Sequence, residues 1–342
     1  MNGGNSNLLF IHAQTSLHPG SGTASGAIDL PVQRERHTDW PLIPGSTIKG
    51  VLRDYCRSKI LEGNTDKGFV WADRDPKLEC VFGPSIKGAD GTDNEPVRGS
   101  NPEDFAGALA VTDARVLFFP VRSLCGLFAW VTCPAALERF RRDIEVMRGN
   151  EALGLGETSL KNDREAKVVS DKLLVKNSAA VAGGSHMVLE EFDFTAIDND
   201  STLKKFAEKM SGTLGIERLK THLAMIPDDM FTHFVKNATE VNARIALNYE
   251  TKTAGSGALF YVETLPPETV FYSLLIANRP KGKRTEIGRS EESDLKNEED
   301  VLKYLSNLLE PTNGTSAILQ IGGEASTGKG ICCVILHDGS NL

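Results

Sequence analysis

The sequence predicts an α+β protein: a split βαβ (ferredoxin-like) sheet with helices on one face, enlarged by insertions. Three observations carry this. The ordered pieces run strand–helix–strand–strand–helix, then strand–helix–strand–strand, the order of a split βαβ unit. Helices are too few between strands for a doubly wound sheet. The composition, 40% hydrophobic and 25% charged over 342 residues, is that of an ordinary globular chain.

Each element has its own signal. NLLFIHAQT (7–15) alternates and reads as a first strand, followed by a long loop rich in Gly, Ser and Pro. In residues 43–61, Ile48, Leu52, Tyr55 and Ile60 recur at helical spacing and Gly63 follows, predicting a helix with its N-cap at Ser46 or Thr47. Residues 62–106 carry many Gly, Pro and Asp and read as irregular surface. Residues 108–121 and 126–133 are strands, and Pro134 suits the first turn of a helix over 134–148. Residues 150–235 are polar and less periodic, an insertion holding a helix or two at 203–210 and 216–224. Residues 239–277 then read as strand, Gly-rich turn, strand and further strand. Val301, Tyr304, Leu305 and Leu308 mark a helix over 298–309, and 317–336 is strand, Gly-rich loop, strand. This gives one domain over 1–342, with a core of about 1–149 and 236–342 around an insertion of about 150–235.

The formal net charge of −8 argues globally against nucleic acid, so local distribution decides. Six Lys/Arg (Arg34, Arg36, Lys49, Arg53, Arg57, Lys59) stand against Glu35, Asp39 and Asp54 between 34 and 59. A second excess is Lys281, Lys283, Arg284 and Arg289 around Glu286. Each cluster reads equally well as a solvated surface. None of the six cysteines forms a C-x-x-C pair, and most lie in apolar stretches, as core thiols of a reducing compartment do. No run of 18 apolar residues and no basic n-region are present, so a cytoplasmic protein without a membrane span is expected.

Gly323 to Gly330, GEASTGKG, imitates a P-loop but lacks the final hydroxyl residue, and ICCVIL after it is a strand where a P-loop opens a helix. A nucleotide-hydrolysing enzyme is therefore disfavoured. Gly322, Gly323, Thr327, Gly328 and Lys329 still suit a phosphate: glycines bring N–H groups close, and the lysine adds charge. The alternative is a plain hairpin whose glycines serve only the turn.

The strongest signal is LHPGSGTASGAIDLPVQRERHTDWPLIPGSTIKGVLRDY (17–55). Leu17 to Gly22, Asp29 to Thr38 and Ile43 to Arg53 resemble, in order, the L-H-x-G-S-G loop, the D-L-P-x-Q-R-E-x-H-T segment and the I-P-G-S-x-x-K-G-x-x-R helix start of one family. That family is the RAMP-superfamily backbone subunits of type III-B (Cmr) CRISPR RNA-guided effector complexes. Residues 128–143, 251–274 and 319–330 resemble further family segments in the same order. P-G-S-x-x-K-G is shared by several RAMP proteins; the Asp29–Thr38 run and T-K-T-A (251–254) are the more specific.

The resemblance implies an RRM-like core with a β-hairpin thumb. It implies that copies stack along a CRISPR RNA with other Cmr subunits and that target single-stranded RNA pairs with the guide between thumbs. It also implies target cleavage at regular intervals with a divalent metal, Mg2+ or Mn2+. Base pairing then reads sequence while the protein reads backbone. A scaffold without its own catalysis is the alternative.

Asp29 matches the family aspartate and is the candidate for catalysis and for the metal, as a base or a ligand; a turn aspartate is the alternative. His18 is a candidate proton shuttle, or else a packed loop histidine, and His37 a weaker one. Only one confident carboxylate stands here, so RNA itself is expected to supply further metal ligands. Ser46, Thr47, Lys49 and Arg53 gather free N–H groups, hydroxyls and positive charge at a helix start, an anion site assigned to guide phosphates. Arg34 and Arg36 either contact RNA or pair with Glu35 and Asp39, and the hairpin Thr251–Gly257 is the thumb candidate.

Overall fold

The computed structural model describes residues 5–24, 26–62, 64–84, 105–148, 158–175, 185–198, 200–248, 250–281, 294–309 and 316–339. Lys283, Arg284 and Arg289 of the second basic cluster lie outside the described residues. In chain order, β1 (Ser6–Ala13) leads through a long loop to β2 (Leu42–Ile43) and α1 (Gly45–Glu62). Two short helices, α2 (Phe69–Ala72) and α3 (Pro76–Phe82), precede β3 (Leu109–Val111), β4 (Ala114–Arg122), β5 (Phe128–Thr132) and α4 (Pro134–Arg148). Then come β6 (Glu165–Val168), β7 (His186–Leu189), β8 (Phe192–Ile197), α5 (Ser201–Leu214), α6 (Leu219–His222), β9 (Leu223–Met225) and α7 (Asp228–Asn237). The last third holds β10 (Glu240–Leu247), β11 (Ala254–Thr264), β12 (Val270–Ala277), α8 (Glu298–Leu309), β13 (Ala317–Gln320) and β14 (Ile331–His337).

One mixed sheet runs β13-β14-β1-β12-β4-β5-β9-β6-β8-β7, with β2 beside β4 and β3 beside β12. β10 and β11 form a separate two-stranded ribbon. β1 lies antiparallel between β12 and β14. Its run Leu8-Leu9-Phe10-Ile11 is apolar on both faces, and successive side chains point opposite ways. Leu9 and Ile11 pack with Ile48 and Leu52 of α1 and Val301 and Leu305 of α8. Leu8 and Phe10 pack with Phe140 of α4 and Phe206 and Met210 of α5. Helices therefore cover both faces, where one was expected, because a strand without a polar face must be buried on both sides. Burial of each such side chain stabilises by about 1.5–3 kcal/mol.

A bulge in β4 keeps its core face continuous. Phe271 pairs with Val116 and Val270 with Phe118, leaving Leu117 extra. Val116 before it and Phe119 and Val121 after it then share one core.

The segment expected to be an irregular and helical insertion instead extends the sheet through β6, β7, β8 and β9, with α5, α6 and α7 packed on it. Residues 62–106, read as irregular, hold α2 and α3. At α1 the expected cap moves: the helix begins at Gly45, and its N–H donates to Asp113 Oδ1 at 2.8 Å. A carboxylate from the loop before β4 thus does what a Ser46 or Thr47 side chain was expected to do. Among the described residues no helix is long and apolar enough to cross a membrane.

Candidate nucleic-acid interface and catalytic loop

The long loop after β1 folds back onto β11 and its end, in isolated bridges of Leu30 with Val262 and Leu17 with Leu265, and closes on itself in a bridge of Gly20 with Val32. Glu263 joins these pieces. It is 3% exposed, and its carboxylate accepts from Val32 N (2.9 Å), Arg34 Nη2 (2.6 Å) and Thr239 Oγ1 (3.0 Å). Its backbone carbonyl accepts from His18 Nδ1 at 2.7 Å. Sequence reasoning passed over Glu263. The available signal was a lone acid in the apolar stretch ALFYVETL, which demands a buried cation or donors.

Asp29 is tied to the same strand. Tyr261 N donates to Asp29 Oδ2 at 2.8 Å, and Ala24 N to the Asp29 carbonyl at 2.9 Å. His18 and Asp29 are thus fastened two residues apart on β11, roughly 7 Å along the strand. Asp29 is half-buried, with its backbone fixed and its carboxylate at the loop surface. His18 is buried, as in the packed alternative. A carbonyl only accepts, so Nδ1 carries the proton and Nε2 is the nitrogen left for other work. A Cβ on Gly20 would lie 2.9 Å from that Nε2, so glycine there keeps its surroundings open.

The turn Glu35–Trp40 rests on α4. Arg139 reaches Glu35 Oε2 at 2.9 Å, lies 4.7 Å from the Trp40 ring centroid and contacts His37 Nε2 at 3.1 Å. Arg36 and His37 are left exposed on this braced turn. Arg34 turns inward to Glu263 and to the carbonyls of Asp39 and Val235, in place of the expected carboxylates of Glu35 and Asp39.

At the start of α1, Ser46 is exposed and Thr47 half-buried, while the two cations are engaged by the protein. Lys49 Nζ donates to the Leu109 carbonyl at 2.8 Å. Its burial, and secondly the charge of Arg53, hold its pKa below the ordinary lysine value. Arg53 Nη1 donates to the Gly83 carbonyl at 2.9 Å, and Nε pairs with Asp73 at 3.4 Å. A Cβ on Gly45 would meet the Val111 carbonyl at 2.4 Å, so this glycine lets α1 sit against β3, whereas one on Gly50 would meet nothing within 4 Å.

The Gly-rich loop between β13 and β14 contains a single 3-10 turn, Ala325–Thr327, and then runs directly into β14. Its ends are pinned: Gly323 N donates to the His18 carbonyl and Gly330 N to the Ser16 carbonyl, both at 2.9 Å. Gly322 has φ +81°, and a Cβ there would lie 2.4 Å from the His18 carbonyl. Thr327 and Gly328 at the middle are exposed, and Lys329 is half-buried. The loop thus brings Gly322, Gly323 and Lys329 to the same region as His18. The start of α1 is built separately, against β3 and α3.

No three His, Cys, Asp or Glu side chains group as a metal cage among the described residues. One carboxylate fits the way Mg2+ is usually held, by one or two carboxylates plus substrate phosphates. Oδ2 of Asp29 takes the Tyr261 N–H, so Oδ1 is the atom through which a cation would bind.

The β10–β11 ribbon carries the thumb candidate at its tip, where Asn248 N donates to the Thr253 carbonyl at 3.0 Å. The ribbon is longer than the expected Thr251–Gly257 piece, and Ala254 onward is strand. Val241, Ile245, Leu259 and Tyr261 lie on one face of it and are exposed.

A RAMP superfamily profile matches residues 10–333. The CRISPR system Cmr endoribonuclease Cmr4 of Pyrococcus furiosus is 34% identical over 338 residues, 98% of this chain and 96% of that protein. The crystal structure of oligomeric Cmr4 from Pyrococcus furiosus superposes with a TM-score of 0.62 at 28% identity, covering 97% of both chains. A chain of the type III-B Cmr-beta complex bound to cognate target RNA, solved by cryo-EM, gives 0.63 at 20% identity over 97% of this chain and 96% of that one, a likeness of fold.

Proposed function

Since the chain belongs to the RAMP superfamily, and within it to the Cmr4 family, we propose that it is a backbone subunit of a type III-B CRISPR effector complex. It oligomerises along the CRISPR RNA with other Cmr subunits, presents the guide to target RNA and cleaves the paired target as an endoribonuclease. The observation that carries the catalytic part is Asp29: a carboxylate at the loop surface whose backbone and one oxygen are fixed to β11. Preorganisation of this kind lets a group act in the transition state without first being ordered.

Through the oxygen not held by Tyr261, Asp29 either takes the proton of the attacking 2′-hydroxyl, as the P–O5′ bond breaks and water protonates the leaving oxygen, or holds a cation. His18 acts through Nε2, since Nδ1 is spent on Glu263. A bound Mg2+ or Mn2+, held by Asp29 and RNA oxygens, would supply stabilisation of the charge that develops at the phosphate.

Ser46, Thr47, Arg36, Thr327, Gly328 and Lys329 contact guide phosphates in this reading, because each is exposed or half-buried. For Lys49, Arg53 and Arg34 the intramolecular partners favour a fold-holding role. Gly322 and Gly323 serve by placing the loop. The exposed apolar face of the β10–β11 ribbon supports the thumb reading, since a two-stranded ribbon with an uncovered face expects a partner. The order β14-β1-β12-β4, with α1 and α8 as crossovers, supports reading the core as an elaborated split βαβ, ferredoxin-like sheet.

The test is a complex rebuilt with Asp29→Asn. Loss of at least ~100-fold in target cleavage, with target affinity unchanged, is the expected signature of an interaction made in the transition state. Regularly spaced products at the normal rate would leave the scaffold reading as the better one.

A further inference from the structure

The polar face of β10 turns toward the loops at the base of the ribbon. Glu240 accepts from Ser16 Oγ at 2.7 Å and from Thr264 Oγ1 at 3.1 Å. Four residues on, on the same face, Arg244 forms an ion pair with Glu324 of the Gly-rich loop. The Glu324 carboxylate also lies 3.3 Å from Thr327 Oγ1. A guanidinium and a threonine hydroxyl, beside a loop that ends in Lys329, are the groups that hold a phosphate. Here an internal carboxylate occupies the guanidinium, while the Thr327 hydroxyl donates to the Glu324 backbone carbonyl at 2.9 Å.

Glu324 is itself unusual. It has φ 67°, the left-handed region that a non-glycine residue enters at a cost, within a loop that has glycines at 322, 323, 328 and 330. The pair is neither deeply buried nor free: the Arg244 and Glu324 side chains are 27% and 22% exposed. A partly exposed ion pair is weakly held. It can therefore give way to an anion that brings more charge.

We propose, building on the reading of this chain as an RNA-binding subunit, that Arg244 is a phosphate-binding residue whose place Glu324 holds in the RNA-free chain. A phosphodiester of single-stranded RNA displaces the Glu324 carboxylate from Arg244 and takes over that contact. The fork of the arginine suits two phosphate oxygens as well as two carboxylate oxygens, so the exchange needs no change of partner geometry. Glu324 makes the site selective for polyanions, because an isolated small anion gains too little to dislodge it. It also ties the Gly-rich loop to the ribbon until RNA arrives.

Fluorescein-labelled single-stranded oligouridine, titrated with the full chain across a salt series and read by anisotropy, tests this. Glu324→Gln is expected to bind roughly fivefold more tightly. Its log K against log salt should steepen, because the wild-type exchange frees a carboxylate that takes up a counterion and the variant's does not. Arg244→Ala should lose more affinity in the Glu324→Gln background than in the wild type. Glu324→Gly, which keeps the left-handed backbone without strain, guards against a folding defect and should behave as Glu324→Gln does. Unchanged or weaker binding by both Glu324 variants overturns the proposal, as does an equal Arg244→Ala effect in the two backgrounds. A wild-type chain that binds no oligouridine at any salt overturns it together with the reading on which it rests.

Discussion

The start of α1 and the Gly-rich loop before β14 resemble one another as text: GSTIKG at 45–50 and GEASTGKG at 323–330. Each has glycines, hydroxyl residues and a lysine, the chemistry of an anion site. The fold uses them differently. At α1 the protein supplies its own anion, Asp113, to the Gly45 N–H and spends Lys49 and Arg53 on the Leu109 and Gly83 carbonyls. In the loop, the ends are tied to Ser16 and His18 while Thr327 and Gly328 stay exposed. A motif therefore divides into residues that hold the protein and residues left for a ligand. The partner each donor already has decides which is which, and that partner is distant in sequence.

The largest expected effects probe what the two segments share. Gly45→Ala places a methyl 2.4 Å from the Val111 carbonyl, and Gly322→Ala places one 2.4 Å from the His18 carbonyl at φ +81°. Each should cost about 3 kcal/mol, read from the urea midpoint. An unchanged midpoint for either would mean that its segment is not pinned.

The next effect separates the segments. Lys329→Met should lower the salt slope of RNA binding by about 0.7, whereas Lys49→Met should leave it unchanged. Lys49→Met should instead cost about 1 kcal/mol of stability, because the Leu109 carbonyl loses its donor. A salt slope that falls with Lys49→Met would collapse the distinction between the segments.

Smaller still are the open glycines. A Cβ on Gly328 would meet no atom within 4 Å, but φ is +76°, so Gly328→Ala should cost about 1 kcal/mol. Gly50 has open space and helical backbone, and Gly50→Ala should stabilise by up to about 1 kcal/mol. A loss at Gly50 that appears only when copies assemble would point to a contact made between them.

The smallest effect is a pH dependence. Burial lowers the Lys49 pKa in the folded chain, so between that value and the ordinary 10.5 the unfolded chain binds more protons. Stability from this group is fully present above 10.5 and is lost as pH falls through the folded value. The rise toward alkaline pH, followed by denaturant midpoints, should vanish in Lys49→Met.

Long, periodic elements were legible in the sequence. The helices expected over 134–148 and 298–309 are Pro134–Arg148 and Glu298–Leu309, each announced by apolar spacing and the first by its proline. The added strands were not legible. β9 is three buried residues, Leu223–Met225, which read as the end of a helix. Its partners are β5, parallel, and β6, antiparallel, and so short a strand shows no alternation to detect. At the site, Asp29 and the Gly-rich loop stood out by motif. Glu263 did not, because its meaning lies in Arg34 and Thr239, 229 and 24 residues away.

The position of β1 has a consequence for biosynthesis. It is translated long before its partners, for it lies between β12 and β14, and Ser6–His12 pair with Val270–Ile276. At about 5–20 residues per second, the run Leu8–Ile11 leaves the ribosome tens of seconds before those partners exist. For that interval the nascent chain carries a strand that is greasy on both sides with no sheet to enter. The Asp29 loop is equally unmoored, since Tyr261 and Glu263 also come late. Holdase chaperones that occupy Leu8–Ile11 during translation should therefore raise soluble yield more than any factor acting on the finished chain.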